Sequence, residues 1–231
     1  MQGIITILFQ RLKSGIYIGC LVFIIMPSFL GGCATEAIIK SAPSVGETPL
    51  PKGPIVKRFE DGRQGFMLME TPHMDEASRK DFDLAVALLN NGDYSQAVEL
   101  LEKIIEQSPG VTAPYINGAI AYRRLGKLEQ AEEHLKSALN LFPEHPVACN
   151  EYGMLYRQTG RFPEARAIYE KALLHFPEYY PVHKNLGILC DLYLNDPACA
   201  LEHYEIYSQA RPEDKQVTLW IADLRARLGL N

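Results

Sequence analysis

From residue 78 onward, apolar side chains recur at helical spacing, and the pattern restarts every 34 residues. In one stretch Tyr115, Ala119 and Tyr122 mark an apolar face, and Leu128, Ala131, Leu135 and Ala138 mark a second. Steps of three and four residues are the signature of amphipathic helices. Between the two faces stands Gly126, suited to the left-handed residue that ends a helix. Beyond the second stands Pro143, which cannot continue a helix and biases the residue before it toward extended backbone. Gly92, Gly126 and Gly160 lie 34 residues apart, as do Ala97, Ala131 and Ala165, and Pro109, Pro143 and Pro177. Ala200 and Pro212 follow their counterparts after 35. The pattern predicts four helical hairpins, at 78–111, 112–145, 146–179 and 180–214.

Ala119 and Ala131 are small because two antiparallel helices must approach closely there, and larger groups would overpack the contact. One hairpin cannot bury its own apolar face, so neighbours must stack. A stripe of Val217, Trp220, Ile221, Leu224 and Leu228 predicts a closing helix over 215–228, with Trp220 as a plug. Two departures are visible. Asp81 stands where the second unit has the large Tyr115, with Phe82 beside it to take over. The fourth unit turns through Leu194-Asn195-Asp196-Pro197, one residue longer and without glycine.

These positions, with Gly153, Tyr156, Phe162, Tyr169 and Ala172 in the third unit, resemble the consensus of the tetratricopeptide repeat over about two thirds of the chain. The resemblance implies an all-α solenoid of four repeats over 78–214 with a capping helix at 215–228. It also implies a protein or peptide partner, held in a groove lined by the first helix of each unit. On the family's lining positions the groove would hold Phe82, Val86 and Asn90, then Ile120, Arg123 and Arg124. Next come Asn150, Met154 and Arg157, then Lys184 and Asp191. Arg123, Arg157 and Lys184 would share one stripe suited to a carboxylate or acidic segment. The competing expectation is an ordinary solvated face. The carboxylate clamp of chaperone-binding repeats lacks its full residue set here.

The first residues follow another pattern. Arg11 and Lys13 precede an uncharged run from Ile16 to Leu30, broken by Pro27 and followed by Gly31-Gly32-Cys33. The run is short for a bilayer span of about 20 residues, and basic start, apolar stretch and small residues describe an export signal over 1–32. Leu30 to Cys33 resembles the lipobox of bacterial lipoproteins, which implies lipidation at Cys33 and a membrane anchor. Ala34 then implies outer-membrane placement facing the periplasm. An uncleaved N-terminal anchor is the alternative. Residues 33–54, with Pro43, Pro49, Pro51 and Pro54, read as an extended tether. Over 55–77, two short apolar runs flank Asp61-Gly62 and predict a β-hairpin. It is expected to pack on the first repeat, or else to offer an edge strand to a partner.

Composition narrows the chemistry. The chain has 231 residues, 47% of them apolar, and a net charge of −5, which becomes −7 if Arg11 and Lys13 leave with the signal. That balance disfavours nucleic acid as a partner. The six histidines show no metal-ligand spacing, and no nucleophile elbow, P-loop or dinucleotide motif occurs. No enzyme activity, metal, cofactor or small-molecule substrate is therefore expected. Cys190 and Cys199 face each other across the enlarged fourth turn, as a disulfide or as two small buried thiols.

The expected function is a scaffold that docks a protein partner in an envelope assembly. The segments RFEDGRQGF, ILCDLYLNDPACALEHYE and WIADLRARL are similar to a bacterial family associated with TonB-type energy-transduction systems. More loosely, the chain resembles lipoproteins that help assemble pilus secretins. Adaptors of peptidoglycan hydrolases and structural modules that oligomerise through their end helices are the alternatives.

Overall fold

A computed structural model describes residues 55–58, 65–70 and 73–230. The expected signal, Cys33, the tether and the Asp61–Gln64 turn lie outside the described residues. Strands β1 (Ile55–Arg58) and β2 (Phe66–Met69) pair antiparallel, with Ile55 opposite Met69 and Arg58 opposite Phe66. The repeats follow as α1 (Glu76–Asn91) with α2 (Tyr94–Gln107), then α3 (Thr112–Arg124) with α4 (Leu128–Leu141). Helices α5 (Pro146–Gln158) and α6 (Phe162–His175) form the third unit, and α7 (Tyr180–Leu192) and α8 (Pro197–Ala210) the fourth. Helix α9 (Lys215–Arg227) closes the stack. This is the all-α tetratricopeptide solenoid with its cap and small hairpin.

Gly92, Gly126 and Gly160 take φ of 88°, 76° and 77°, the left-handed conformation that lets the chain reverse between paired helices. In the fourth unit Asn195 adopts it instead, with φ 50°. Asparagine is among the few other residues that tolerate this region. Inside each pair the small residues meet: Ala85, Ala97, Ala119, Ala131, Ala165 and Ala200 are all buried. Phe82 packs on Ala85, Ala97 and Leu101, while its neighbour Asp81 accepts a hydrogen bond from Lys103 Nζ at 2.8 Å. Trp220 of α9 packs on the last core, its ring 5.3 Å from that of Tyr204.

The hairpin is not where the sequence placed it. Phe66 and Leu68 join a core with Phe142, Phe176, Tyr179 and Val182, and the Phe66 ring lies 5.0 Å from Phe176. Arg58 pairs with Glu178 and donates to the His175 carbonyl. The strands thus seat on the loops joining the second, third and fourth units. Position supplies the reason. Phe142 and Phe176 are one period apart, and the same position in the first unit is Ser108; Tyr179 likewise corresponds to His145 and Val111. The later loops offer aromatic walls and the first does not. Glu70, just past β2, reaches forward, accepting from the Thr112 backbone N–H at 3.1 Å and from its hydroxyl. Val111 gives α3 no side-chain cap, so the buried Glu70 carboxylate caps that helix from another part of the chain.

Candidate functional site

The first helices of successive units touch one another, α1 with α3, α3 with α5 and α5 with α7, whereas no two second helices do. The stack therefore curves with α1, α3, α5 and α7 on its inner side. The residues expected to line a groove lie on the helices of this inner side.

Val86, Ile120 and Met154 are half-buried along it, and Asn90 and Arg124 are exposed. Asn150 is buried, and its Oδ1 accepts from Asn185 Nδ2 of the next unit at 2.9 Å. The charged residues are mostly engaged with each other. Arg123 meets Glu151 at 2.9 Å, with both side chains largely covered. Lys184 meets Asp214 at 2.7 Å, with its ammonium 5.2 Å from the Tyr207 ring centre and 5.7 Å from that of Trp220. Asp191 meets Arg227 of the cap. Burial raises the Glu151 carboxyl above its ordinary range, and the Arg123 guanidinium pulls it back. Lys184 holds the Asp214 carboxyl below its ordinary range, against a smaller opposing effect of burial.

Arg157 is different. It is half-buried, its Nη1 is covered, and that nitrogen has no hydrogen-bond partner among the described residues. The Tyr169 hydroxyl of α6 is also buried without a partner. Its ring crosses above Gly153, where an added Cβ would lie 2.2 Å from Tyr169 Cε1. Burial raises the Tyr169 phenol, and Arg157, Glu151 and Arg123 act on it electrostatically. Two covered polar atoms thus stand without a hydrogen-bond partner among the described residues, and the Arg157 charge acts on the Tyr169 phenol.

The expected stripe of three free cations is thus a chain of pairs with one unpaired member. Sequence reasoning missed Glu151, Asn185 and Asp214 as partners because each lies about one repeat away from the residue it answers. That offset is itself a signal: 28 residues separate Arg123 from Glu151 and 30 separate Lys184 from Asp214. Cys190 and Cys199 are disulfide-bonded, with Cα atoms 5.9 Å apart.

Repeat geometry and cap are those of a tetratricopeptide-repeat solenoid. Residues 81–110 and 122–187 each match the tetratricopeptide repeat as a family. No curated protein sequence matches the chain. Among solved structures it is similar to pilF of Pseudomonas aeruginosa, at 26% identity and TM-score 0.62, over 67% of this chain and 70% of that one. It is also similar to PilW, a widely conserved type IV pilus biogenesis factor, at 23% identity and TM-score 0.60, over 67% and 71%. A thermophilic tetratricopeptide protein of Thermus thermophilus shares the fold at 22% identity and TM-score 0.58, over 64% and 81%.

Proposed function

We propose that this protein is a lipid-anchored scaffold of the bacterial cell envelope that captures an extended, acidic segment of a protein partner in its inner groove. The observation that carries the proposal is Arg157, which among the described residues has no ion-pair partner, whereas Arg123 and Lys184 of the same expected stripe are paired. A partner carboxylate at Arg157 would form a charge-assisted hydrogen bond, contributing about 1.5–3 kcal/mol. The lipobox-like Leu30–Cys33 supports an anchor at Cys33, with Ala34 favouring the outer membrane and a periplasmic orientation. The likeness to a pilus biogenesis factor supports a pilus or secretion assembly as the setting.

The test is site-specific photocrosslinking in the native envelope. A crosslinker at Met154 should trap a polypeptide, and one at exposed Lys171 on α6 should not. Arg157→Gln should weaken that capture by about 10- to 100-fold, the equivalent of one charged hydrogen bond. Equal capture from both positions, or capture indifferent to Arg157→Gln in a folded protein, refutes the groove reading.

One observation favours a second reading, self-association through the cap. Leu219 of α9 is 70% exposed, and Leu228 and Leu230 beyond it are exposed as well. Light scattering should then report a multimer that Leu219→Lys returns to monomer; a wild-type monomer ends this reading.

A further inference from the structure

The fourth position of the second, third and fourth repeats shows a recurring device. Tyr115 donates its hydroxyl to the Pro109 carbonyl at 3.2 Å. One period on, the Cys149 thiol points at the Pro143 carbonyl at 4.0 Å. One period further, His183 Nε2 meets the Pro177 carbonyl at 3.0 Å. A carbonyl oxygen can only accept, so Nε2 carries the proton and His183 Nδ1 is left with a bare lone pair. Facing that lone pair is His203 Nδ1 of α8, at 3.0 Å.

Packing alone does not call for two imidazoles here. The matching positions in the third unit are Cys149 and Ile168, and in the second Tyr115 and His134. Only the fourth unit places a ring nitrogen on each helix of the pair. A histidine that ligates a metal characteristically donates its other N–H to a backbone carbonyl or carboxylate, which fixes tautomer and orientation. His183 is already held in that way.

We propose that His183 and His203 form a two-imidazole site for a late first-row divalent metal ion, joining α7 to α8. At metal–nitrogen distances of about 2.0–2.1 Å, two nitrogens 3.0 Å apart subtend roughly 94° at the metal. That is nearer the right angle of tetragonal Cu(II) or Ni(II) than the tetrahedral angle of Zn(II), and imidazole suits these ions while Mg(II) and Ca(II) prefer oxygen. Without metal, His203 Nδ1–H donates to His183 Nδ1. To bind, His203 shifts its proton from Nδ1 to Nε2, so neither proton count nor ring charge changes. Burial lowers both imidazoles and keeps them neutral and able to ligate, against smaller effects of Glu202, which attracts positive charge to both rings, and of Glu170, which attracts it to His203. Arg166 opposes them, but its charge is engaged by Glu170 at 2.8 Å and Asp196 at 3.6 Å. Water completes the coordination. Nearby Cys190, Asp196 and Cys199 also converge, but the two sulfurs are bonded to each other and do not compete.

The full chain, kept free of reductant so that the disulfide persists, is titrated with CuCl₂ and NiCl₂, with MgCl₂ as control. One equivalent of Cu(II) should bind and show electron-spin-resonance coupling to two imidazole nitrogens. Cu(II) and Ni(II), but not Mg(II), should raise the melting temperature. His203→Ile borrows the third unit's residue; it should weaken Cu(II) binding about tenfold or more and erase the two-nitrogen coupling. If that variant does not fold, His183→Tyr replaces it, since the second unit's tyrosine keeps the bond to the proline carbonyl. Unchanged Cu(II) affinity in either folded variant overturns the proposal. Absence of two-nitrogen coupling in the wild-type protein overturns it without any variant.

Discussion

Tyr169 and Tyr204 each occupy a notch left by a missing side chain. An added Cβ at Gly153 or Gly187 would lie 2.2 Å or 2.5 Å from a carbon of the facing ring. In the second unit the same two positions hold Ala119 and Leu135, so a bulkier first helix meets a smaller second one. Gly153→Ala alone should therefore cost about 1–3 kcal/mol by overpacking. Gly153→Ala with Tyr169→Leu rebuilds the second unit's pair and should recover much of that loss in urea denaturation. His145 is a residue of another kind. It is 3% exposed, and burial pushes its imidazole down to about 4. Its Nδ1 accepts from the Ala148 N–H at 3.4 Å, and Glu70 stands 3.7 Å from Nε2, too far to hold a proton on the ring against that burial. Between pH 6.5 and 4 the unfolded chain binds a proton there that the folded chain does not, so stability falls as pH falls through that window. The loss should be on the order of 3 kcal/mol. Urea midpoints at pH 7.5 and 4.5 should show it, and His145→Val, the first unit's residue type, should remove this part of the decline.

The fourth hairpin shows how a longer turn is accommodated. With an extra residue and no glycine, the chain reverses on Asn195 in the left-handed region and closes α7 to α8 with Cys190–Cys199. Asp196 caps α8 by accepting from the Cys199 N–H at 3.1 Å. A β-branched residue is poorly suited to φ of 50°, so Asn195→Val should lower stability by about 1–2 kcal/mol. Reduction of the disulfide, which closes a short loop, should cost about 2–3 kcal/mol. Faster amide exchange should be greatest in α7 and α8 and extend to the α5, α6 and α9 that pack on them. The helices themselves were legible, because period, glycine turns and proline stops are local signals. The pairing of groove charges was not: Arg123, Lys184 and Asp191 look alike as free charges until stacking brings Glu151, Asp214 and Arg227 against them. Arg157 looks the same in sequence and differs because no such answering residue arrives among the described residues.

Solenoids are usually sums of units and their interfaces, and the hairpin departs from that arithmetic. Phe66 and Leu68 lie against loops of the second, third and fourth units, while Glu70 caps α3. A single short segment thus spans three inter-unit junctions. The existence of the strands was readable from two apolar runs about an Asp-Gly pair. Their seat was hidden in a comparison between repeats, Ser108 against Phe142 and Phe176, that only matters once the loops are lined up in space. Leu68 is 2% exposed, and Leu68→Ala should cost about 2–5 kcal/mol through lost burial and a cavity. If the segment couples the junctions, the loss will not stay local. Amide exchange should quicken together in α3, α5 and α7, and the urea transition should separate into an early and a late phase. Glu70→Ala, which removes the α3 cap for about 1–2 kcal/mol while leaving Phe66 and Leu68 seated, should loosen α3 alone. Should Leu68→Ala disturb only the loop at Phe176 and Tyr179, the hairpin is a local cover and the repeats stand independently of it.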